Sequence, residues 1–198
     1  LHELFSPELN VKYIIPKYQR EYSWKKDNWE DLIDDIQGED DSEEGPFLGS
    51  IICVNKTSES FSPALEIIDG QQRLTTLSLL YSAIHTKLKD LEHTMDDESK
   101  SELINLKYKL IQKKNTNETK LELSYQNNNF EDYREILEES QILKSRDGRP
   151  KNIGNRRLYK AYQFFSKKLE EEYKSYDEIK KLLNKINSSH IIKIEVNT

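Results

Sequence analysis

The sequence predicts an α+β fold, in which a small β-sheet is followed by a mostly helical part. The main evidence is the stretch from Glu66 to Leu91, where two branched apolar residues lead to Asp69 and Gly70 follows. Beyond Gly70, apolar residues recur at steps of three and four, which is the pattern of an amphipathic helix. A short strand, a tight turn and a long helix are therefore expected, with the glycine permitting a close backbone approach.

The remaining elements follow from the same two periodicities. Apolar runs bounded by turn residues predict strands, and apolar steps of three and four predict helices. Residues 46–55 and 64–68 flank a Ser-rich connection, so we expect them to form an antiparallel pair. In chain order, strands are predicted at 11–15, 46–55, 64–68, 121–124 and 190–196, and helices at 27–36, 71–91, 95–112, 130–143, 158–173 and 176–186.

Composition limits the class of protein. The 198 residues can bury a sizeable core, and we divide them into a sheet-containing core, residues 1–92, and a mainly helical extension with a returning strand, residues 93–198. The net charge of −6 argues against a uniformly basic nucleic-acid-binding protein, so any DNA contact must come from a local patch. One cysteine, Cys53, allows no disulfide framework and is expected in a buried strand.

The chain carries no sign of a membrane segment or a leader. No apolar run approaches the roughly 18 residues of a transmembrane helix, and no signal peptide opens the sequence. We therefore predict a cytoplasmic protein without membrane partners. The abrupt stop after the last predicted strand is typical of a fragment of a longer protein.

Three polar residues, Gln71, Gln72 and Arg73, occupy the first turn of the long predicted helix. A helix N-terminus presents unpaired N–H groups and partial positive charge, which suits a phosphate. Arg73 opposes the helix dipole at this position, so it requires an anion nearby. That anion is either Asp69, in a structural salt bridge, or a ligand phosphate, and Asp69 is equally explained as an N-cap. The residues alone leave these alternatives open.

Two further stretches carry groups that bind phosphates or bases. Residues 18–22, Tyr-Gln-Arg-Glu-Tyr, combine an arginine with aromatic rings, and the alternative is a surface loop pinned by those rings. Residues 144–157 form the one basic segment, a candidate for contacting the DNA backbone, and the alternative is a solvated loop. Its cations are Lys144, Arg146, Arg149, Lys151, Arg156 and Arg157.

Other chemistry finds no support in the sequence. The four histidines show no metal-ligand spacing, and we expect His85 to be solvated on the polar flank of the long helix. There is no Walker-type phosphate-binding loop, no nucleophile elbow and no His-rich nuclease motif.

Three motifs in fixed order carry a resemblance to a known family. They are Ile-Pro-Lys-Tyr-Gln-Arg-Glu-Tyr-Ser-Trp at 15–24, Phe-Leu-Gly-Ser-Ile at 47–51 and Ile-Asp-Gly-Gln-Gln-Arg-Leu-Thr-Thr-Leu at 68–77. Together they resemble the family called domain of unknown function 262, which supplies the N-terminal half of GmrSD-type (type IV) restriction enzymes. The resemblance covers residues 13–80 and implies a small mixed β-sheet of the ParB/sulfiredoxin type followed by a mostly helical part.

The resemblance also implies a function. In related phage-defence proteins this domain hydrolyses nucleoside triphosphates, and the activity is coupled to a C-terminal nuclease that cuts modified phage DNA. The expected ligands are thus ATP, GTP or UTP with Mg²⁺, and modified DNA. The nuclease domain or subunit lies outside this chain. Two alternatives remain, namely a non-catalytic nucleotide or DNA sensor and a purely structural role for the motifs.

The resemblance assigns residues to this nucleotide site. One wall would be formed by Asp69, Gly70, Gln71, Gln72 and Arg73, and the other by Tyr18, Gln19 and Arg20. Arg20 and Arg73 would bind phosphates, and Asp69 would hold Mg²⁺ or orient water. Gln71 or Gln72 would position the attacking water.

Overall fold

The computed structural model describes residues 1, 3–38, 45–56, 63–113, 115–125, 128–147 and 153–196. These residues form five strands and six α-helices, which confirms the predicted α+β class. In chain order the elements are β1 Lys12–Ile14, α1 Lys26–Gln37, β2 Phe47–Asn55, β3 Ala64–Asp69, α2 Gln71–Leu91, α3 Asp97–Leu110, β4 Leu121–Glu122, α4 Asn129–Glu139, α5 Arg157–Glu172, α6 Tyr176–Ser188 and β5 His190–Val196. None of the helices in these ranges has the length and apolar character needed to span a membrane.

The strands form one mixed sheet in the order β4-β1-β3-β2-β5. β2 and β3 pair antiparallel, as predicted, and the other neighbouring pairs are parallel. Cys53 of β2 lies opposite Ile67 of β3 and is buried, as expected. The sheet takes β4 and β5 from beyond residue 92, so it draws strands from both sides of the proposed boundary at 92/93. That division stays a prediction.

Helix α2 lies at the centre of the molecule. It packs against α3, α4, α5 and α6, and its apolar side chains from Leu74 to Leu88 are almost fully buried. Ser78 and Ser82 are also fully buried, and their hydroxyls donate to the carbonyls of Leu74 and Ser78 at 3.0 and 3.1 Å. Such back-bonding satisfies a small hydroxyl inside a helix, so these positions can face neighbouring helices.

His85 departs from the prediction. It is 5% exposed, and its Nδ1 donates to the carbonyl of Ser140 at 2.9 Å. Burial lowers the pKa of His85 to about 4, and the hydrogen bond to Ser140 opposes that shift only in part. The helical periodicity placed His85 on a polar flank, but the segment after α4 covers that flank. The prediction of a solvated histidine is therefore wrong.

Helix α4 is shorter than predicted. The sequence pattern extends to residue 143, but the helix ends at Glu139 because Gln141 adopts a left-handed backbone conformation with φ 59°. The chain then turns back on the helix, and its amides bond to the carbonyl of Leu137. At the other end, Asn128 takes the N-cap position with φ 61° and makes no side-chain cap, and Asn127 lies outside the described residues.

Candidate functional site

The turn between β3 and α2 has a geometry that requires glycine. Asp69 ends the strand, Gln71 begins the helix, and Gly70 is the N-cap residue with φ +88°. A Cβ at residue 70 would lie 2.8 Å from the carbonyl oxygen of Ser50, so a side chain is excluded by both conformation and space. As a glycine, the N-cap residue has no side chain that could cap α2. The explanation of Asp69 as an N-cap is therefore wrong, and among the described residues no side chain caps the first N–H groups of α2.

Arg73 reaches from the first turn of α2 toward β2. Its Nη1 lies 3.4 Å from the carbonyl oxygen of Ser50, a long hydrogen bond. Within the part of the chain that the structure describes, the guanidinium group forms no salt bridge with Asp69 or any other carboxylate. The structural salt bridge considered above is therefore not formed.

Gln72 fastens the loop before α1 to the start of α2. Its Oε1 accepts hydrogen bonds from the amides of Ser23 and Trp24 at 2.8 and 3.3 Å, and its Nε2 donates to the carbonyl of Glu21 at 3.1 Å. The Gln72 side chain is buried, and its bonds satisfy backbone groups of the partly exposed loop at 21–24. Gln72 thus holds the first motif against the third.

Gln71 and Gln19 continue this connection. The Nε2 of Gln71 donates to the Oε1 of Gln19 at 2.9 Å and to the carbonyl of Arg20 at 3.2 Å. Gln19 in turn donates to the carbonyl of Ile68 at 2.7 Å, which ties the loop to the end of β3. The Oε1 of Gln71 has no hydrogen-bond partner among the described residues.

The aromatic residues of the first motif serve the core. Tyr22 is buried, with its hydroxyl 2.7 Å from the Oγ1 of Thr76 in α2 and 2.8 Å from the indole nitrogen of Trp29. Burial raises the pKa of Tyr22 far above its ordinary value. Tyr18 is different, because it is 68% exposed and its hydroxyl donates to Glu66 at 3.2 Å.

These contacts border a cleft of about 260 Å³ at the start of α2. The structure brings most of the predicted nucleotide-site residues into its wall, but it does not place Tyr18 there. Trp24 forms part of the wall and was not predicted as a site residue. The predicted members of the wall are Gln19, Arg20, Asp69, Gly70, Gln71, Gln72 and Arg73. The ionisable groups are thus two arginines and one aspartate, a locally positive site in a chain of net charge −6.

The described cations of the basic segment have separate roles. Arg146 pairs with Glu138 at 2.6 Å and with Glu131 at 3.1 Å, so two carboxylates of α4 neutralise its charge. Arg157 is exposed, and its Nη1 donates to the carbonyl of Ser23 at 3.0 Å. Arg149 and Lys151 lie outside the described residues. The segment therefore does not act as one uniform basic patch in the part that the structure describes.

A second cavity, of about 500 Å³, lies next to the cleft. Its wall includes Arg20, Arg156, Arg157 and Asp132, and Asp132 is 2% exposed. The Nη1 of Arg156 lies 3.5 Å from the Oδ2 of Asp132. Burial raises the pKa of Asp132, and the nearby Arg156 opposes that shift. Sequence reasoning missed Asp132, because an acidic residue in the first turn of a helix is explained by the helix dipole alone.

No ready-made metal site occurs in the described ranges, where no three His, Cys, Asp or Glu side chains come together. Asp69 is a single exposed carboxylate at the cleft. Magnesium in nucleotide sites is commonly held by one or two carboxylates together with the substrate phosphates, so a lone aspartate fits that chemistry.

The fold and the cleft define an α+β protein with a polar, arginine-containing site at the start of its central helix. Over residues 1–197 the chain matches the family described as GmrSD restriction endonuclease, N-terminal domain. The chain therefore belongs to that family, and the resemblance to domain of unknown function 262 is confirmed. A search of curated proteins found no match.

Proposed function

We propose that this domain binds and hydrolyses a nucleoside triphosphate in the cleft at the start of α2. The observation that carries the proposal is Arg73, which lines the cleft without a carboxylate partner among the described residues. A cation at the positive end of a helix dipole is unfavourable unless an anion lies close to it. A triphosphate is such an anion, and the uncapped N–H groups of α2 are suited to bind it as well.

The side chains of the cleft divide into binding and positioning roles. Arg20 and Arg73 bind phosphate oxygens and stabilise the charge that develops on the γ-phosphoryl group. The amide oxygen of Gln71, which is left without a described partner, orients the attacking water. Gln72 is fully occupied with the loop at 21–24, so we assign it to holding Arg20 in place. Asp69 holds Mg²⁺, which neutralises phosphate charge when bound.

The family membership supports two further parts of the proposal. A restriction enzyme must engage DNA, and we propose that this domain senses modified DNA and passes the signal to a C-terminal nuclease domain or subunit in the cytoplasm. Arg157 is exposed, and among the described residues its guanidinium group contacts only the carbonyl of Ser23, so it is a better candidate for contacting DNA than Arg146. A sensor that binds nucleotide without hydrolysis is the alternative function.

The test is phosphate release from ATP, GTP and UTP with Mg²⁺, comparing wild type with Arg73→Ala, with thermal melting of both proteins. Lys160→Ala removes an exposed cation of α5 that does not line the cleft, and it serves as the control. We expect release to be lost in Arg73→Ala at an unchanged melting temperature and retained in the control.

Two other outcomes would contradict nucleotide hydrolysis in the cleft. If neither protein releases phosphate but nucleotides raise the melting temperature of wild type alone, the domain is a binding sensor. If nucleotides have no effect on wild type and Arg73→Ala melts early, the motifs are structural and the proposal fails.

A further inference from the structure

Strand β5 lies at the edge of the sheet. Among the described strands only β2 pairs with it, in parallel, along its length from His190 to Val196. Every second side chain of β5 is an exposed aliphatic group, and these are Ile192, Ile194 and Val196 at 55%, 45% and 45% exposure. An edge strand with exposed apolar side chains is a template for pairing with a further strand.

The backbone groups that face this edge follow from the contacts of β5 with β2. The amide of His190 donates at 2.8 Å to the carbonyl of the residue before β2, and the carbonyl of Ile194 accepts from the Sγ of Cys53 at 3.7 Å. Both residues thus direct their backbone groups toward β2. Since successive residues of a strand alternate between its two sides, Lys193 and Glu195 direct their N–H and C=O groups toward the outer edge.

The two residues that face the edge carry opposite charges. Lys193 and Glu195 are exposed, and within the described ranges neither forms a salt bridge, although Glu195 accepts a hydrogen bond from the uncharged side chain of Asn55 at 3.0 Å. A lysine in the middle of an edge strand discourages pairing with other strands. It favours pairing only with a strand that places a carboxylate opposite it, because like charges in that position are destabilising.

A second copy of β5 meets this requirement. When two copies pair antiparallel about a two-fold axis at Ile194, Lys193 of each copy lies opposite Glu195 of the other. The same register places Ile194 opposite its own equivalent and Ile192 opposite Val196. A shift of the axis by one residue would place Lys193 opposite Lys193, or Glu195 opposite Glu195. Only the register centred on Ile194 therefore pairs the opposite charges.

We propose that this domain forms a symmetric dimer by antiparallel pairing of β5 with β5 of a second copy, which joins the two five-stranded sheets into one. Lys193 and Glu195 exchange backbone hydrogen bonds across the axis, and the interface uses the same surface of both copies. One strand from each copy buries less than the roughly 1,200 Å² of a standard interface, so we expect half dissociation at roughly 10–100 µM. The inference does not depend on the nucleotide site.

The first test is the dimer dissociation constant of the 198-residue chain, measured by analytical ultracentrifugation over a concentration series. Lys193→Glu and Glu195→Lys each place two like-charged pairs across the axis, so each should weaken the dimer by about tenfold. The double variant Lys193→Glu/Glu195→Lys restores opposite pairs and should return to within about threefold of wild type. Lys160→Glu makes the same charge change at an exposed position of α5 and is the control.

Single cysteines test the register. The two Ile194 residues meet at the axis as a non-hydrogen-bonded pair with Cα atoms about 4.5 Å apart, within the range of a disulfide. Ile194→Cys should therefore form a covalent dimer when oxidised with copper phenanthroline. Ile192→Cys is the matched control, because it is exposed on the same face but lies about 14 Å from its own equivalent in this register. The native Cys53 is buried and should not react.

Three results would overturn the inference. A chain that stays monomeric over the whole series leaves the edge unpaired or, if the amides of Lys193 and Glu195 resist hydrogen exchange, covered by another segment of the chain. A dimer whose affinity is unchanged in both charge-reversal variants would use another surface. A covalent dimer of Ile192→Cys without one of Ile194→Cys would place the two strands in another register.

Discussion

Gly49 of β2 lies directly against the guanidinium group of Arg73. A Cβ at residue 49 would lie 2.8 Å from both the Cζ and Nη1 atoms of Arg73, and the glycine has φ +99°. The second motif therefore provides the space in which the arginine of the third motif sits. This contact explains why a glycine occurs in the middle of a strand, where it would otherwise weaken the strand.

Replacing Gly49 should therefore disturb both stability and the site. Gly49→Ala forces a side chain into a positive-φ conformation and against Arg73, so we expect a loss of about 1–3 kcal/mol in the free energy of unfolding. Nucleotide affinity should fall as well, because the guanidinium group is displaced from the cleft. Urea unfolding and calorimetric binding measure the two effects.

The double variant Gly49→Ala/Arg73→Ala separates the backbone strain at residue 49 from the clash between the new Cβ and the guanidinium group of Arg73. If the clash matters, part of the lost stability returns when the guanidinium group is removed, a coupling that a double-mutant cycle detects. Gly154→Ala is the control, since a Cβ there meets nothing within 4 Å. A Gly49→Ala protein as stable as wild type, with normal nucleotide affinity, would contradict the packing of Gly49 against Arg73.

Gln72 should contribute to the stability of the fold as well as to the shape of the cleft. Gln72→Leu removes the acceptor for the amides of Ser23 and Trp24 and leaves polar backbone groups without partners. Because Ser23 and Trp24 are half-buried, we expect a loss of about 1–2 kcal/mol in the free energy of unfolding, since each intramolecular hydrogen bond contributes about 0.5–1.5 kcal/mol. Gln141→Leu, at an exposed position, should change stability by less than about 0.5 kcal/mol. Equal stabilities of the two variants would show that the loop does not depend on Gln72.

His85 should make stability depend on pH. Its pKa is about 4 in the folded protein against a reference value of 6.5, so the unfolded chain binds more protons between these values. The contribution of the neutral, buried imidazole is therefore complete above pH 6.5 and is lost as the pH falls toward 4. For this group alone we expect the free energy of unfolding to drop by about 2 kcal/mol between about pH 7.5 and pH 5.

A matched variant isolates the histidine from other titrating groups. His85→Asn retains an N–H donor for the carbonyl of Ser140 but does not titrate, so its stability should depend less on pH by that amount. His93→Asn, at an exposed position, should keep the pH dependence of wild type. Chemical unfolding at the two pH values provides the comparison, and parallel curves for wild type and His85→Asn would refute the assignment.

Arg146 and Arg157 should give opposite results. Arg146→Ala removes the closer of the two arginines beside Glu138, which is 5% exposed, but leaves Arg134 at 3.2 Å, so we expect a loss of stability of about 1 kcal/mol with DNA affinity unchanged. Arg157→Ala should leave the melting temperature nearly unchanged and reduce the salt dependence of DNA binding by about one phosphate contact. Fluorescence anisotropy over a salt series measures the second effect. If Arg146→Ala is the variant that weakens DNA binding, the two roles are reversed.

Much of the site was predictable because its signals are local. A strand that leads to Asp69, a glycine and a polar first helical turn are read from consecutive residues, and the structure has β3, Gly70 and α2 in that order. The local sequence could not decide between the salt bridge, the N-cap and a ligand for Asp69 and Arg73. The structure excludes Asp69 as the N-cap, because Gly70 takes that position. It also excludes the salt bridge between Asp69 and Arg73, because Arg73 turns toward β2.

By itself, the sequence determined the family, the α+β class and the order of strands and helices. These depend on periodicity and on short motifs, which act over a few residues. Only the tertiary structure decided that Gly49 accommodates Arg73, that His85 is buried against Ser140, and that Asp132 pairs with Arg156 in the wall of a cavity. Each of these contacts joins residues of separate elements, and their side chains meet only when the sheet and helices pack around α2.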